Sequence, residues 1–239
     1  MEPVESSAGR GKAVIDFHSH VLPGIDDGSK SVGESLRMLA ASAGQGITHM
    51  AATPHFYPSE TSLEQFLDRR ERAAEGLRAV WRPEFPRLLP GAEVYYFEGI
   101  SRAAELEALR IEGTPLLLLE MPFRTWSGRM VAEVMALHNR PGFTVLLAHI
   151  ERYLRFQKAA IWDGLLEAGV LMQSNASFFL RWNSKRRALR MFDAGRIHLV
   201  GSDCHDMAER APRVGEALEV MGEQRKRALE RRCRIILGH

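Results

Sequence analysis

Cysteine is nearly absent: Cys204 and Cys233 are the only two in 239 residues, too few for a disulfide framework. Long apolar runs are missing too. The run at residues 116–119 is the size of a strand, far short of the roughly 20 residues a membrane-spanning helix needs. No excess of one charge exists either, since 32 Lys and Arg against 30 Asp and Glu leave +2. Bulk charge therefore points to neither nucleic acid nor an acidic partner. Residues 1–12 mix Glu, Ser, Gly and Pro without an apolar core, so they read as a disordered extension rather than a signal peptide. The expected location is the cytoplasm. No linker or internal repeat divides the remainder, and residues 13–239 are expected to form one domain.

What is present is an alternation. Short apolar runs at residues 14–17, 48–52, 88–92, 115–119, 144–148, 170–174 and 197–201 read as seven strands, with amphipathic stretches between them. The first helix opens with Ser31 and Glu34 in capping-box spacing, carries Val32, Leu36, Leu39, Ala40 and Ala43 on one stripe, and stops at Gly46. The second opens with Thr61 and Glu64 and runs to about Arg82, before Pro83. Further helices are predicted over 101–110, 126–139, 156–168, 185–194 and 212–221. Such an order gives a parallel sheet, closed as a barrel or open and doubly wound.

Histidines and carboxylates recur at the carboxyl ends of these runs. His18 and His20 follow the first, His55 the second, Glu93 the third, Glu120 the fourth, His149 the fifth, and Asp203 with His205 the seventh. In an extended segment alternate side chains share a face, so His18 and His20 point the same way. One histidine at a strand end is ordinarily a solvent-facing or hydrogen-bonded residue. Recurrence at six of seven ends implies a divalent-metal site of the kind that does hydrolytic chemistry. An open sheet gathers its site at one switch point, whereas a barrel brings every strand end to one rim. The expected fold is therefore α/β, a distorted seven-stranded (β/α)7 TIM-like barrel. His49, His138, His198 and His239 sit within strands, on helices or at the terminus and are assigned structural roles. Asp26 and Asp27 lie in an ordinary turn, residues 23–28, from which one of them could face the metals.

The segments HSHVLPGIDDGSKS, ATPHF, GAEVYY, LLLLE, AHIERY and GSDCHD together resemble the polymerase and histidinol phosphatase (PHP) superfamily. Within it they are most similar to the bacterial manganese-dependent protein-tyrosine phosphatases of capsule and exopolysaccharide operons. The resemblance covers residue 14 to the carboxyl terminus, and PGIDDG and AHIERY are its most specific pieces. It implies three divalent ions. His18, His20, Glu93 and Asp203 would hold the first, Glu93, Glu120 and His149 the second, and Asp27, His55 and His205 the third. It also implies that Arg152 and Arg210 grip the phosphate, a task suited to a bidentate guanidinium. The donor set has no thiolate, so Mn²⁺ or Fe²⁺ fits at least as well as Zn²⁺. The implied reaction is attack on phosphorus by metal-activated hydroxide, with no covalent enzyme intermediate. The implied substrate is a phosphotyrosine protein, such as the tail of a cognate bacterial tyrosine kinase that controls polysaccharide export. A small-molecule phosphatase or phosphodiesterase, such as one for histidinol phosphate, is the alternative.

Three other features need weighing. Cys204 to Arg210 fits C-x5-R, the nucleophile loop of the unrelated cysteine-dependent tyrosine phosphatases. That loop needs a low-pKa thiolate in positive surroundings, and Asp203, Asp206 and Glu209 have the wrong charge. Cys204 is therefore expected to be a packing residue. Phe56, Tyr57, Tyr95, Tyr96, Phe97, Phe123 and Trp126 follow ligands and are candidates for a wall against a phosphotyrosine ring. Residues 224–234 carry six cations on a helix-like pattern, read as a solvated closing helix.

Overall fold

The structure, a computed structural model, describes residues 13–238. The 1–12 extension and His239 lie outside the described residues. Each of the seven apolar runs contains a strand, and the second and third are each followed by a further short strand outside the predicted run, at 55–56 and 93–95. Pro54 has no N–H to donate to a ladder, so pairing is interrupted between the strand at 49–52 and the short strand at 55–56. In chain order the strands are β1 (Ile15–Ser19), β2 (His49–Ala52), β3 (His55–Phe56), β4 (Arg87–Pro90), β5 (Glu93–Tyr95), β6 (Leu116–Glu120), β7 (Thr144–Leu147), β8 (Leu171–Asn175) and β9 (Leu199–Gly201).

All pairings are parallel. One sheet has the order β1-β2-β4 and the other β3-β5-β6-β7-β8-β9. An isolated parallel bridge between Ser19 and Cys204 brings the end of β1 against the segment after β9. The fold is thus α/β with a curled parallel sheet, its hydrogen bonding divided into two ladders rather than one regular seven-stranded closure. The register between β1 and β2 also shifts between Asp16 and Ser19, an irregularity that re-aims the side chains around His18.

The helices cover the sheet. They are α1 (Val32–Gly44), α2 (Leu63–Arg78), α3 (Gly128–His138), α4 (Ala159–Glu167), α5 (Ala176–Leu180), α6 (Lys185–Asp193), α7 (Val214–Met221) and α8 (Glu223–Ile236). Ser31 caps α1 as expected, its hydroxyl accepting from Glu34 N–H at 3.2 Å. The Glu34 carboxylate instead accepts from Lys30 N–H, at 2.8 Å, so the box is half made. The buried stripe of α1 is Ser35, Met38, Leu39 and Ser42, whereas Ala40 is exposed. The cap of α2 is one residue later than predicted: Ser62 and Gln65 form the full capping box, and the helix ends at Arg78.

The helix expected over 101–110 is absent. Two 3₁₀ turns, Ile100–Arg102 and Leu106–Leu109, stand in its place, separated by Glu105 at φ 60°. The left-handed conformation of a non-glycine residue there stops an α-helix from propagating. Buried on both faces by these layers, β6 has no exposed residue, which explains its unbroken leucines. The basic closing helix α8 is tied to the body, because Arg225 pairs with Asp193 at 2.6 Å and Arg232 donates to the carbonyls of Ile197 and His198.

Candidate metal centre

All nine sequence-predicted ligands lie together at one rim of the sheet, with His55 and Glu93 opening β3 and β5 just past the ends of β2 and β4 and Asp27 on the loop after β1. Glu93, at the start of β5, is the hub. Its Oε2 lies 3.0 Å from His55 Nδ1, 3.1 Å from His18 Nε2 and 3.3 Å from His20 Nε2. Its Oε1 lies 2.8 Å from His149 Nε2, which is 3.4 Å from Glu120 Oε1. Asp203 Oδ1 is 3.6 Å from both His18 and His20 Nε2. On the outer side Asp27 Oδ1 is 3.4 Å from His55 Nε2 and 3.3 Å from His205 Nε2.

Three sets have donor atoms close enough to share an ion: His20, Asp27, His55 and His205; His18, His20 and Asp203; His55, Glu93 and Glu120. These differ in detail from the expected grouping. His20 also faces the Asp27 set, and His55 also faces the carboxylate pair, while His149 borders Glu93 and Glu120 from the side.

Burial and orphaned atoms test whether cations fit here. Glu93 Oε2, His55 Nδ1 and His205 Nε2 are buried and have no hydrogen-bond partner, although nitrogens surround the carboxylate oxygen. His18 and His20 also face each other through Nε2 at 3.1 Å. Lone pairs aimed at one another and at a carboxylate are costly without a positive charge between them. Divalent cations meet that need, and the donor set of imidazoles and carboxylates suits them.

The second layer fixes which nitrogens face inward. Asp26, which the sequence left undecided beside Asp27, is buried under the site. It accepts from His20 Nδ1 at 2.7 Å and from the N–H groups of His55 and Gly28. Asp27 instead is the carboxylate that faces the imidazoles. His205 Nδ1 lies 3.0 Å from the carbonyl of Asp203, which leaves its Nε2 pointing inward. Gln173 and Asn175, on β8, escaped the sequence reading. Gln173 Nε2 donates to Asn175 Oδ1 at 3.0 Å, and Asn175 Nδ2 donates to Asp203 Oδ2 at 2.7 Å. Glu151 holds this strand end by accepting from Ser174 Oγ and Asn175 N–H. A glutamine and asparagine two apart at a predicted strand end was the available signal.

Packing locks the histidines as firmly. A Cβ on Gly201 would sit 2.5 Å from His18 Cβ, and one on Gly28 would sit 2.3 Å from His20 O. Only glycine allows these approaches. His149 and Asp203 themselves adopt left-handed backbone, φ 31° and 54°, a local strain typical of functional positions.

Charge follows from this geometry. Burial alone would depress His20 and His149, yet carboxylate partners raise them to about 10 and about 9. Burial would raise Glu93 and Asp203, but His18 above all holds both carboxyls down. His205 is lowered to about 4 by burial and by His20.

Both candidate arginines reach Asp203. Arg152 pairs with Oδ2, and Arg210 Nη2 pairs with Oδ1 at 2.7 Å. Each guanidinium has five N–H donors, so neither is saturated by that contact. Cys204 lies between them in sequence but is fully buried, and burial with the nearby Asp16 and Asp203 pushes its thiol far up. A thiolate nucleophile is not available there.

The aromatic wall divides. Phe56, Tyr96 and Trp126 are core residues. Tyr57 stacks on His55 at 5.2 Å and Phe123, 47% exposed, stacks on His149 at 6.0 Å. His138 and His198 are structural, accepting from the N–H groups of Val145 and Met172. No helix among the described residues is long and apolar enough to cross a membrane.

Known proteins share this arrangement of chain. Tyrosine-protein phosphatase CpsB of Streptococcus agalactiae is 28% identical over 219 residues, covering 87% of this chain and 89% of that protein. Tyrosine-protein phosphatase YwqE of Bacillus subtilis is 29% identical over 222 residues, covering 88% and 85%. A solved chain from the structures of YwqE of Bacillus subtilis and CpsB of Streptococcus pneumoniae, metal-dependent tyrosine phosphatases, is similar with a TM-score of 0.80. It is 26% identical, over 94% of either chain. The family model for capsular polysaccharide synthesis, CpsB/CapC, matches residues 14–237, and the chain belongs to that family.

Proposed function

We propose that this protein is a metal-dependent protein-tyrosine phosphatase. The observation that carries the reading is the convergence of four imidazoles on Glu93, with His205 and the carboxylates Asp27, Glu120 and Asp203 beside them and Arg152 and Arg210 at the edge. The nine residues His18, His20, Asp27, His55, Glu93, Glu120, His149, Asp203 and His205 would hold three divalent ions, Mn²⁺ before Fe²⁺ or Zn²⁺. When bound, such ions neutralise a phosphate ester and activate water. Arg152 and Arg210 would orient the ester by charge-assisted hydrogen bonds to its free oxygens. Tyr57 and Phe123 offer faces for the leaving tyrosine ring.

The substrate we infer is a phosphotyrosine protein, the tail of a tyrosine kinase in polysaccharide export, met in the cytoplasm. In this reading residues 13–239 act as one domain, and the two ladders form one interrupted ring of seven strand units. The relatives favour it over a histidinol phosphate phosphatase. The test compares Mn²⁺-loaded protein on a phosphotyrosine peptide and on histidinol phosphate, before and after chelation. A higher kcat/KM on the peptide, abolished by chelator and restored by Mn²⁺, is expected. The opposite preference would transfer the protein to the small-molecule class.

A further inference from the structure

Between α5 and α6 the chain presents Arg181, Trp182 and Asn183 to solvent. Trp182 is 91% exposed, more than any other large apolar residue described. Arg181 has no side-chain partner among the described residues. Both residues line one cleft of about 640 Å³ together with Arg152, Asp203, Arg210 and Arg213. The cleft thus starts at the candidate phosphate clamps and runs out to an exposed indole. Glu209 is the one further acid on its wall, while Lys185, Arg186 and Arg187 follow along the chain in the first turn of α6. From residue 181 to 190 there are five cations and no acid.

An indole left almost fully in water next to unpaired guanidinium is a common composition for the centre of an interface. A flat basic surface would suit a lipid headgroup layer. A concave one that shares Arg152 and Arg210 with the reaction centre suits a chain already anchored there by its phosphate. The local field attracts negative charge, whereas the whole chain is nearly neutral.

We propose that this cleft binds the polypeptide flanking the phosphotyrosine, taking an acidic residue at Arg181 and an apolar or aromatic side chain against Trp182. The proposal rests on the phosphatase reading and adds its sequence preference. The bulk composition hid the feature, because the basic stretch is offset by acids elsewhere.

The test uses the full chain loaded with Mn²⁺ and three substrates: a phosphotyrosine peptide with acidic and apolar flanks, the same peptide with neutral polar flanks, and p-nitrophenyl phosphate. The acidic peptide should show about tenfold higher kcat/KM than the neutral one, through KM, and the gap should narrow with salt. Arg181→Ser and Trp182→Ala should each cut the ratio of acidic-peptide to p-nitrophenyl phosphate kcat/KM severalfold. Arg181→Glu should invert the preference toward basic flanks. An active enzyme with no flank preference, or variants that keep it, would overturn the proposal. So would loss of binding to anionic phospholipid vesicles in these variants with peptide preference intact, which would assign the surface to lipid. A loaded protein inert toward every aryl phosphate would remove the phosphatase reading itself, a distinguishable failure.

Discussion

Gln173 Oε1 lies 3.3 Å from His18 Nδ1 and at the same time accepts the backbone N–H of His149 at 2.7 Å. One amide oxygen thereby fixes the ring of a histidine on β1 and the backbone of another after β7. The amide's other end steadies Asn175 and, through it, Asp203.

Gln173→Ala should therefore loosen three candidate ligands without removing any. Metal affinity should drop by about 10- to 100-fold, the usual effect of losing an outer partner of a ligating histidine. Isothermal titration with Mn²⁺ reads this directly, and Gln173→Glu, which keeps the acceptor, should recover part of it. An unchanged affinity in both variants would show that the network is decorative.

Glu93→Ala removes the carboxylate on which four imidazoles converge. Turnover of an aryl phosphate should fall by at least about 10²- to 10³-fold, with a parallel loss of bound metal measured by elemental analysis. Near-normal turnover with full metal content would remove Glu93 from the site.

Cys204→Ser should leave turnover close to that of the parent, because the thiol is buried, protonated and flanked by acids. Steady-state kinetics on an aryl phosphate and intact mass after quenching check this. A cysteine mechanism demands near-complete loss and a trapped phosphocysteine.

His198 supplies a pH dependence of stability. Burial first, then the neighbouring Arg232, lowers its pKa from 6.5 to about 4 in the fold. Between those values the unfolded chain binds the extra proton, so stability is complete above about pH 6.5 and declines as the pH falls toward 4. Protonation would also remove the acceptor used by Met172 N–H at 3.0 Å. The loss should be on the order of 2 kcal/mol, allowing for partial exposure. Urea unfolding at pH 7 and pH 5 should show it, and His198→Asn should flatten the difference. An identical slope in the variant would place the acid sensitivity elsewhere.

The ligands were legible because they end apolar runs, and alternation on β1 does place His18 and His20 on one face. Their supports were not. Gln173 and Asn175 act across the sheet on residues far away in sequence, so their spacing marks a shared face but not the partners they meet there. Asp26 and Asp27 look equivalent in a turn, and only the tertiary fold turns one under His20 and the other toward His55. The break at Pro54 was open to sequence reading, since proline has no N–H for a ladder. The missing 101–110 helix had adequate residues but a backbone reversal at Glu105 that propensity does not encode. Nothing in the local sequence marks Trp182 as the most exposed large apolar side chain among the described residues.

The seam between β1 and β9 has a consequence for biosynthesis. Asp203 N–H donates to His18 O at 2.8 Å, and Ser202 Oγ donates to the same carbonyl across 184 residues. A ribosome adding about 5–20 residues per second releases His18, His20 and Glu93 well before it reaches β9. Nascent or prematurely terminated chains hold most of the imidazoles but lack the piece that closes over them. On the proposed reading, the ligand set is incomplete until Asp203 and His205, the two ligands beyond β9, have been added.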